Sequence, residues 1–303
     1  MEPRSRSGQV TKAKTNKRVR AADKPVRIAK AMAHAGLCSR REAERWIEAG
    51  RVSLNGKELN TPAVTVTPDD TVTVDGKPMP LAGPVRMWRY HKPKGLMTTH
   101  ADPEGRRTIF DALPKDMPRV ISIGRLDYAT EGLMLLTTNG DLARHLELPA
   151  TGWQRRYRVR ARGSVTQDQL DKLKSGVEIE GIRYKSIDAR LDRQQGANVW
   201  LTMTLREGKN REVKRVAAHL GLEVNRLMRL SFGPFSLAEL RAGEVEEIKP
   251  RVLADQLGEK IAAGFGLKSS GTHARAAPKP KSLKFRGKKP PRAKPPHRKP
   301  LGK

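Results

Sequence analysis

The sequence predicts an α+β protein with two folded domains, a small one followed by a larger one built on a mixed, mainly antiparallel sheet. A chain of 303 residues has room for about two domains. Strand patterns beyond residue 85 outnumber helix patterns and do not alternate strictly with them, which disfavours a parallel sheet. Basic segments poor in apolar residues flank the folded region. The predicted boundaries are a tail at 1–25, a small domain with its linker at 26–84, a larger domain at 85–250, a C-terminal helix at 251–265 and a tail at 266–303.

Positive charge is concentrated in the two predicted tails. The chain has 61 Lys and Arg against 32 Asp and Glu, a net charge of +29. Residues 1–25 carry +6 and residues 266–303 carry +13, which leaves +10 for the residues between them. Both tails have too little apolar surface to fold and are expected to be disordered, and the second is also rich in proline. Clustered positive charge predicts a polyanionic partner, most simply RNA, with a merely solubilising tail as the alternative.

The composition also disfavours several protein classes. No run approaches the ~20 apolar residues of a membrane span, and residues 1–20 lack the apolar stretch of a secretory signal. One cysteine, Cys38, permits neither an intramolecular disulfide nor a cysteine-cluster zinc site. There is no glycine-rich nucleotide loop, and the histidines do not pair with carboxylates at metal-ligand spacing. We therefore expect a cytoplasmic chain with no membrane partner, cofactor or metal, and a monomer by default.

Helix and turn signals outline the small domain. Ile28 begins a helical pattern that ends at Gly36, and Ser39-Arg-Arg-Glu42 has the form of a capping box that opens a second helix. Asn55-Gly56 predicts a hairpin turn, and alternating valines after it predict further short strands. The stretch Gly76 to Pro84 is rich in proline and glycine and is predicted to be the linker.

The arginines of this domain point to RNA. Arg40, Arg41 and Arg45 lie on the capping-box helix, and Arg51 follows it. An ordinary solvated helix face is the simple alternative. However, the residues from Leu37 to Gly56 carry the motifs of a stretch that resembles the αL-type RNA-binding domain named after a small-subunit ribosomal protein. The resemblance implies that these arginines bind structured RNA through its shape and backbone.

In the larger domain, one carboxylate stands just ahead of an apolar strand. Asp127 lies beside Arg125 and precedes the apolar run Leu133 to Leu136. An acid at such a junction is commonly a turn residue or half of a salt bridge. The other clear predictions in this domain are a strand at Val199–Leu205, a helix at Thr166–Lys174 and a helix at Arg211–Leu220 that ends at Gly221.

The segment around Asp127 resembles a known family. Residues 123–140 match G-R-L-D-x-x-T-x-G-L, the signature of the RsuA/RluB branch of the pseudouridine synthases. Other motifs of this branch occur in order, namely Lys92-Pro-Lys-Gly95, Thr108-Ile-Phe-Asp-Ala-Leu113, Arg156-Tyr-Arg-Val159, the run from Glu207 to Arg215 and the run from Leu227 to Gly233. With the small domain, the resemblance covers residues 26–248. It implies an isomerase that detaches a uridine base of RNA from ribose carbon 1 and rejoins it through carbon 5, without a cofactor.

The resemblance also implies residue roles. Asp127 matches the catalytic aspartate, which either attacks covalently or abstracts a sugar proton, and Lys214 matches the basic residue that pairs with it. Tyr157 matches the tyrosine that stacks on the target base and assists proton removal from carbon 5. Arg125 matches the arginine that enters the base stack as the uridine leaves. The remaining basic residues are expected to contact phosphates: Lys92, Lys94, Lys209 and Arg211.

Two departures from the family pattern limit what is carried over. Leu148-Pro149 stands where relatives often have histidine-proline, so no catalytic role is assigned there. Arg155-Arg156 varies a lysine-containing pair, which leaves the RNA contacts at that edge open.

The implied partner is ribosomal RNA or a ribosome precursor particle. The long basic C-terminal segment favours the large-subunit (23S) enzymes, and a small-subunit (16S) enzyme is the alternative of the same class. A non-catalytic ribosome-assembly factor, or a generic nucleic-acid packaging protein, would account for the charge. Neither has a chemical need for Asp127, Tyr157 and Lys214 together.

Overall fold

Short strands and two helices form the first domain within residues 25–268, the range that the computed structural model describes. Its elements are β1 (Val26–Arg27), α1 (Ile28–His34), α2 (Arg40–Glu48), β2 (Val52–Leu54), β3 (Lys57–Glu58), β4 (Thr65–Val66), β5 (Val72–Val74) and β6 (Lys77–Pro78). One sheet has the order β3-β2-β5-β6, and β1 pairs with β4. Residues 1–24 and 269–303 of the two predicted tails lie outside the described residues.

Local signals position these elements as predicted, except at the linker. The Ser39 hydroxyl accepts a hydrogen bond from the Glu42 amide, and the Glu42 carboxylate accepts one from the Ser39 amide, which completes the capping box of α2. Asn55-Gly56 and Asp75-Gly76 both have positive φ at each residue, as hairpin turns of type I′ require. The predicted linker therefore starts too early, because the second of these turns brings Lys77–Pro78 back as β6.

The second domain is built on one nine-stranded sheet. Its strands are β7 (Met87–Lys92), β8 (Ile121–Ile123), β9 (Thr130–Thr137), β10 (Arg155–Arg162), β13 (Ile187–Gln195), β14 (Asn198–Leu205), β15 (Glu223–Phe232), β16 (Phe235–Ser236) and β17 (Val245–Glu247), while β11 (Val177–Ile179) and β12 (Ile182–Tyr184) form a separate hairpin. The order is β13-β14-β10-β15-β9-β7-β17, with β8 on β9 and β16 on β15. Only the β15–β9 pair of this sheet is parallel, which confirms the predicted mixed, mainly antiparallel α+β class.

Helices cover the two sides of this sheet unequally. The helices are α3 (Gly140–Glu147), α4 (Gln167–Asp171), α5 (Glu212–His219), α6 (Pro250–Leu257) and α7 (Glu259–Gly264), with 3-10 turns at Phe110–Ala112, Pro149–Thr151 and Lys172–Ser175. On one side, α4 and α5 pack over the apolar residues of β10 and β14. On the other, α3, α6 and α7 pack over Leu133 and Leu135 of β9. Two helices stand where one was expected at 251–265, because Gly258 has a φ of +81° and breaks the run.

An ion pair joins the two domains. The Lys30 ammonium on α1 lies 2.8 Å from a carboxylate oxygen of Asp141 at the start of α3. Among residues 25–268, no helix has the length and apolar character needed to cross a membrane.

Candidate active site

Asp127 lies in the loop between β8 and β9, which the K-P-K-G segment holds in place. The amide of Thr130 donates to the Asp127 carbonyl (2.9 Å), and the amide of Gly95 donates to the Tyr128 carbonyl (2.9 Å). The Lys92 ammonium donates to the carbonyls of Asp127 (3.2 Å), Tyr128 (3.4 Å) and Thr130 (2.9 Å). The loop that presents the aspartate is therefore fixed by donors from the end of β7 and the turn after it.

This geometry corrects one prediction. Lys92 is 0% exposed and its ammonium is engaged by backbone carbonyls, so it does not reach an RNA phosphate. A lysine next to proline at a strand end is usually a surface cation, and only the tertiary fold shows that this one is buried. Lys94, two residues later, is exposed and stays a candidate for a phosphate contact.

The predicted partner of Asp127 is next to it. The Lys214 ammonium on α5 lies 3.2 Å from Asp127 Oδ2. The Asp127 side chain is 36% exposed and that of Lys214 is 17% exposed, so the pair is accessible from the cavity beside it. The turn before α5 makes this approach possible, since Arg211 adopts a φ of +51° and redirects the chain into the helix.

A cavity of about 550 Å³ opens over this ion pair. Its size is in the range of small-ligand sites. Tyr157, on β10 and 9% exposed, forms part of the wall. The other predicted residues that line it are Arg125, Lys209 and Arg211, all exposed. The structure thus brings six of the predicted site residues to one cavity. Within residues 25–268, no group of three or more His, Cys, Asp or Glu side chains could hold a metal ion.

Two buried arginines in the same cavity were not predicted. The Arg229 Nε donates to the Leu133 carbonyl (2.7 Å), and its Nη2 has no hydrogen-bond partner among the described residues. Arg155 Nη1 donates to two backbone carbonyls, and burial lowers the pKa of this guanidinium. The guanidinium groups lie 4.7 Å (Arg155) and 5.3 Å (Arg229) from the centre of the Phe232 ring. Alternation along β10 places Arg155 on the same face as Tyr157, which is a signal that could have identified it.

Gly132, the glycine of the T-x-G-L motif, allows two strands to meet closely behind the site. It has a φ of +107° and lies opposite Arg229 in the parallel β9–β15 pair. A Cβ at this position would be 2.3 Å from the Arg229 carbonyl oxygen. The motif therefore requires glycine at this position, because a side chain would collide with the backbone of the neighbouring strand.

A buried carboxyl, Glu212, supports the basic loop at the cavity rim. One of its oxygens accepts a hydrogen bond from the Lys209 amide (2.9 Å), and the other has no partner among the described residues. Burial raises the pKa of Glu212 to about 7, so the carboxyl is largely neutral below that pH.

The arginines predicted to bind RNA in the first domain do not line this cavity. Arg40, Arg41 and Arg45 are exposed on α2. The Arg51 guanidinium pairs with Asp75 (2.6 Å) and lies 4.7 Å from the centre of the Trp46 ring. These residues form a separate basic surface.

The chain is similar to known proteins along most of its length. Residues 86–219 match the family model described as RNA pseudouridylate synthase, and residues 26–78 match the S4 domain. The chain is 42% identical over 231 residues to an uncharacterized RNA pseudouridine synthase of Rickettsia prowazekii, which covers 76% of this chain and 97% of the relative. It is 41% identical over 219 residues to ribosomal large subunit pseudouridine synthase B of Salmonella typhimurium, covering 70% of this chain and 75% of the relative.

A third bacterial relative and a solved structure are similar to the chain as well. Ribosomal large subunit pseudouridine synthase B of Pseudomonas aeruginosa is 39% identical over 251 residues, covering 80% of this chain and 65% of the relative. A crystal structure of pseudouridylate synthase matches with a TM-score of 0.52 and 25% identity, covering 74% of this chain and 96% of that one.

Proposed function

The chain belongs to the RNA pseudouridylate synthase family, and we propose that it isomerises a uridine of large-subunit (23S) ribosomal RNA with Asp127 as the catalytic carboxylate. The names of the Salmonella and Pseudomonas relatives support the large-subunit substrate. The S4 domain at residues 26–78 supports binding to RNA. Because its proposed substrate is ribosomal RNA, we also expect the enzyme to act in the cytoplasm.

The ion pair in the cavity carries this proposal. Asp127 and Lys214 lie 3.2 Å apart where the cavity gives a ligand access to the carboxylate. Lys214 compensates the charge of Asp127, which acts on the sugar or base of the target uridine. Tyr157 lines the same cavity, and its role is to stack on the uracil and to assist proton removal from carbon 5.

The exposed cations around the cavity hold the RNA. Arg125 is exposed and lines the same cavity as Asp127, and its role is to fill the space in the base stack that the flipped uridine leaves. Lys209 and Arg211 at the rim, with Lys94 beyond it, contact phosphates. Arg40, Arg41 and Arg45 on α2, together with Arg51, bind a structured part of the same RNA.

Mapping of pseudouridine in both ribosomal RNAs tests the substrate. In cells that lack the protein, we expect one pseudouridine of 23S rRNA to disappear and to return when the wild-type gene is restored. Loss of a 16S site instead would identify the small-subunit enzyme. Unchanged patterns in both RNAs, accompanied by accumulation of ribosome precursors, would favour a non-catalytic assembly factor and contradict the proposal.

A further inference from the structure

The outward side of β10 carries a row of arginines. Its burial alternates strictly, so that Tyr157, Val159 and Ala161 face the core while Arg158, Arg160 and Arg162 are exposed on the opposite side. The row extends across the sheet, because Arg160 lies opposite Trp200 of β14, and Trp200 lies opposite Arg193 of β13. Since Tyr157 lines the cavity, this surface is turned away from it. We call Arg158, Arg160, Arg162, Arg193 and Trp200 the arginine face.

The charge of the arginine face is uncompensated. Within residues 25–268, none of its four arginines forms an ion pair within 4.0 Å. The acid nearest along β13, Asp192, pairs with Arg190 instead (2.7 Å). Glu223 stands opposite Arg162 in the strand register without pairing to it. The Arg160 and Arg193 guanidinium groups lie 5.4 and 5.0 Å from the centre of the Trp200 ring, which keeps both beside a half-buried aromatic surface.

The described helices leave this face open, and the charge of the two segments outside the described residues does not suit it. The helices on this side of the sheet, α3, α6 and α7, pack on the β9 half, and the outward arginines of β10 stay exposed among the described residues. Residues 1–24 contain eight Lys and Arg against two acids, and residues 269–303 contain twelve and no acid. Either segment would be repelled by the arginines. The positive charge of the arginine face therefore favours an anionic partner from outside the chain.

We propose that the arginine face is a further RNA-binding surface, distinct from the catalytic cavity and from the arginines of the first domain, which contacts the phosphates of another segment of ribosomal RNA. Arginine forks bind phosphate oxygens in pairs, and alternate residues of a strand are about 6.8 Å apart, a spacing comparable to that of successive phosphates. The buried core of a protein interface is depleted of charged residues, whereas four cations surround one tryptophan here, so a polyanion fits this face better than a protein does. This inference rests on ribosomal RNA being the substrate.

Substitution of three arginines by glutamine tests the proposal. The variant Arg158→Gln/Arg160→Gln/Arg162→Gln is compared with Lys115→Gln/Lys172→Gln/Lys249→Gln, which removes three exposed lysines of the second domain that lie outside the arginine face and do not line the cavity. Affinity is measured against salt for full-length 23S rRNA and for a short hairpin that contains only the modified uridine and its own stem. For the full-length RNA, we expect the arginine variant to weaken binding at least about tenfold and to lower the slope of log K against log salt by about 2–3.

On the short hairpin, the same variant should keep the affinity and rate of the wild type, since the hairpin fills the cavity on the other side of the sheet. An unchanged slope on full-length rRNA, or a loss no larger than in the lysine control, would overturn the proposal and point to an acidic protein as the occupant. Equal losses on both RNAs would also overturn it, because the arginines would then serve the catalytic interface. Failure of the proposed function would appear differently, as wild-type protein that leaves the uridine of both RNAs unmodified.

Discussion

Replacing Lys92 with methionine should damage catalysis and leave RNA binding intact. The Lys92 ammonium is fully buried and shares its three N–H donors among four backbone carbonyls, of which those of Thr130 (2.9 Å) and Pro93 (3.1 Å) are the closest. Each hydrogen bond to a charged donor contributes about 1.5–3 kcal/mol. Methionine also removes the cost of burying a charge, so we expect the free energy of unfolding to fall by about 2–4 kcal/mol.

The larger effect is expected on turnover. Without Lys92 the loop that presents Asp127 loses its central donor, and a displacement of about 1 Å is enough to reduce kcat about 100-fold. The assay measures single-turnover pseudouridine formation and RNA affinity across a salt series, at a temperature where circular dichroism shows the variant to be folded. Lys94→Met is the matched control, because Lys94 is exposed and two residues away. It should lower the salt slope by about 1 and leave the rate unchanged.

The opposite pattern would refute this reasoning. If Lys92→Met lowered the salt slope like Lys94→Met and kept its single-turnover rate, Lys92 would be a phosphate contact and the buried geometry would be irrelevant to catalysis.

Three further predictions concern the residues around the cavity. Lys214→Met should lower kcat about 100-fold or more, and Lys214→Arg should restore most of it, as rate measurements on both variants can show. Glu212→Gln should stabilise the fold above pH 7 by up to about 3 kcal/mol, because the native carboxyl, with its pKa raised from 4.5 to about 7, resists ionisation that the unfolded chain undergoes freely. This gain should vanish in denaturation curves near pH 4, where both states hold the proton. Gly132→Ala should unfold at lower denaturant concentration than wild type, since its Cβ would meet the Arg229 backbone at 2.3 Å.

Features with partners close in sequence were predictable. The capping box at Ser39 and the turn at Asn55-Gly56 depend on atoms within four residues of one another, and both form as expected. The alternation of apolar residues along Val199–Leu205 likewise predicted the correct buried face. Every second side chain of this strand packs into the core, so the apolar residues recur with a period of two.

Features that depend on distant pairing were not predictable. Lys92 is buried because β7 lies beside β9, and Arg229 enters the cavity because β15 pairs in parallel with β9, far away along the chain. Neither pairing follows from local patterns. The approach of Lys214 to Asp127 was expected only through the family resemblance, since nothing in the composition links a helix lysine to a loop aspartate.

Substitution of Asp127 by asparagine tests the central proposal most directly. The change keeps the size of the side chain and removes its charge, while Asp116→Asn alters an exposed acid outside the cavity and serves as control. Both are assayed on 23S rRNA from cells that lack the protein. We predict that Asp127→Asn binds this RNA within about twofold of wild type, since a carboxylate adds no favourable phosphate contact, and forms no pseudouridine. Pseudouridine formation by Asp127→Asn at a rate near that of Asp116→Asn would contradict the assignment of Asp127 as the catalytic carboxylate.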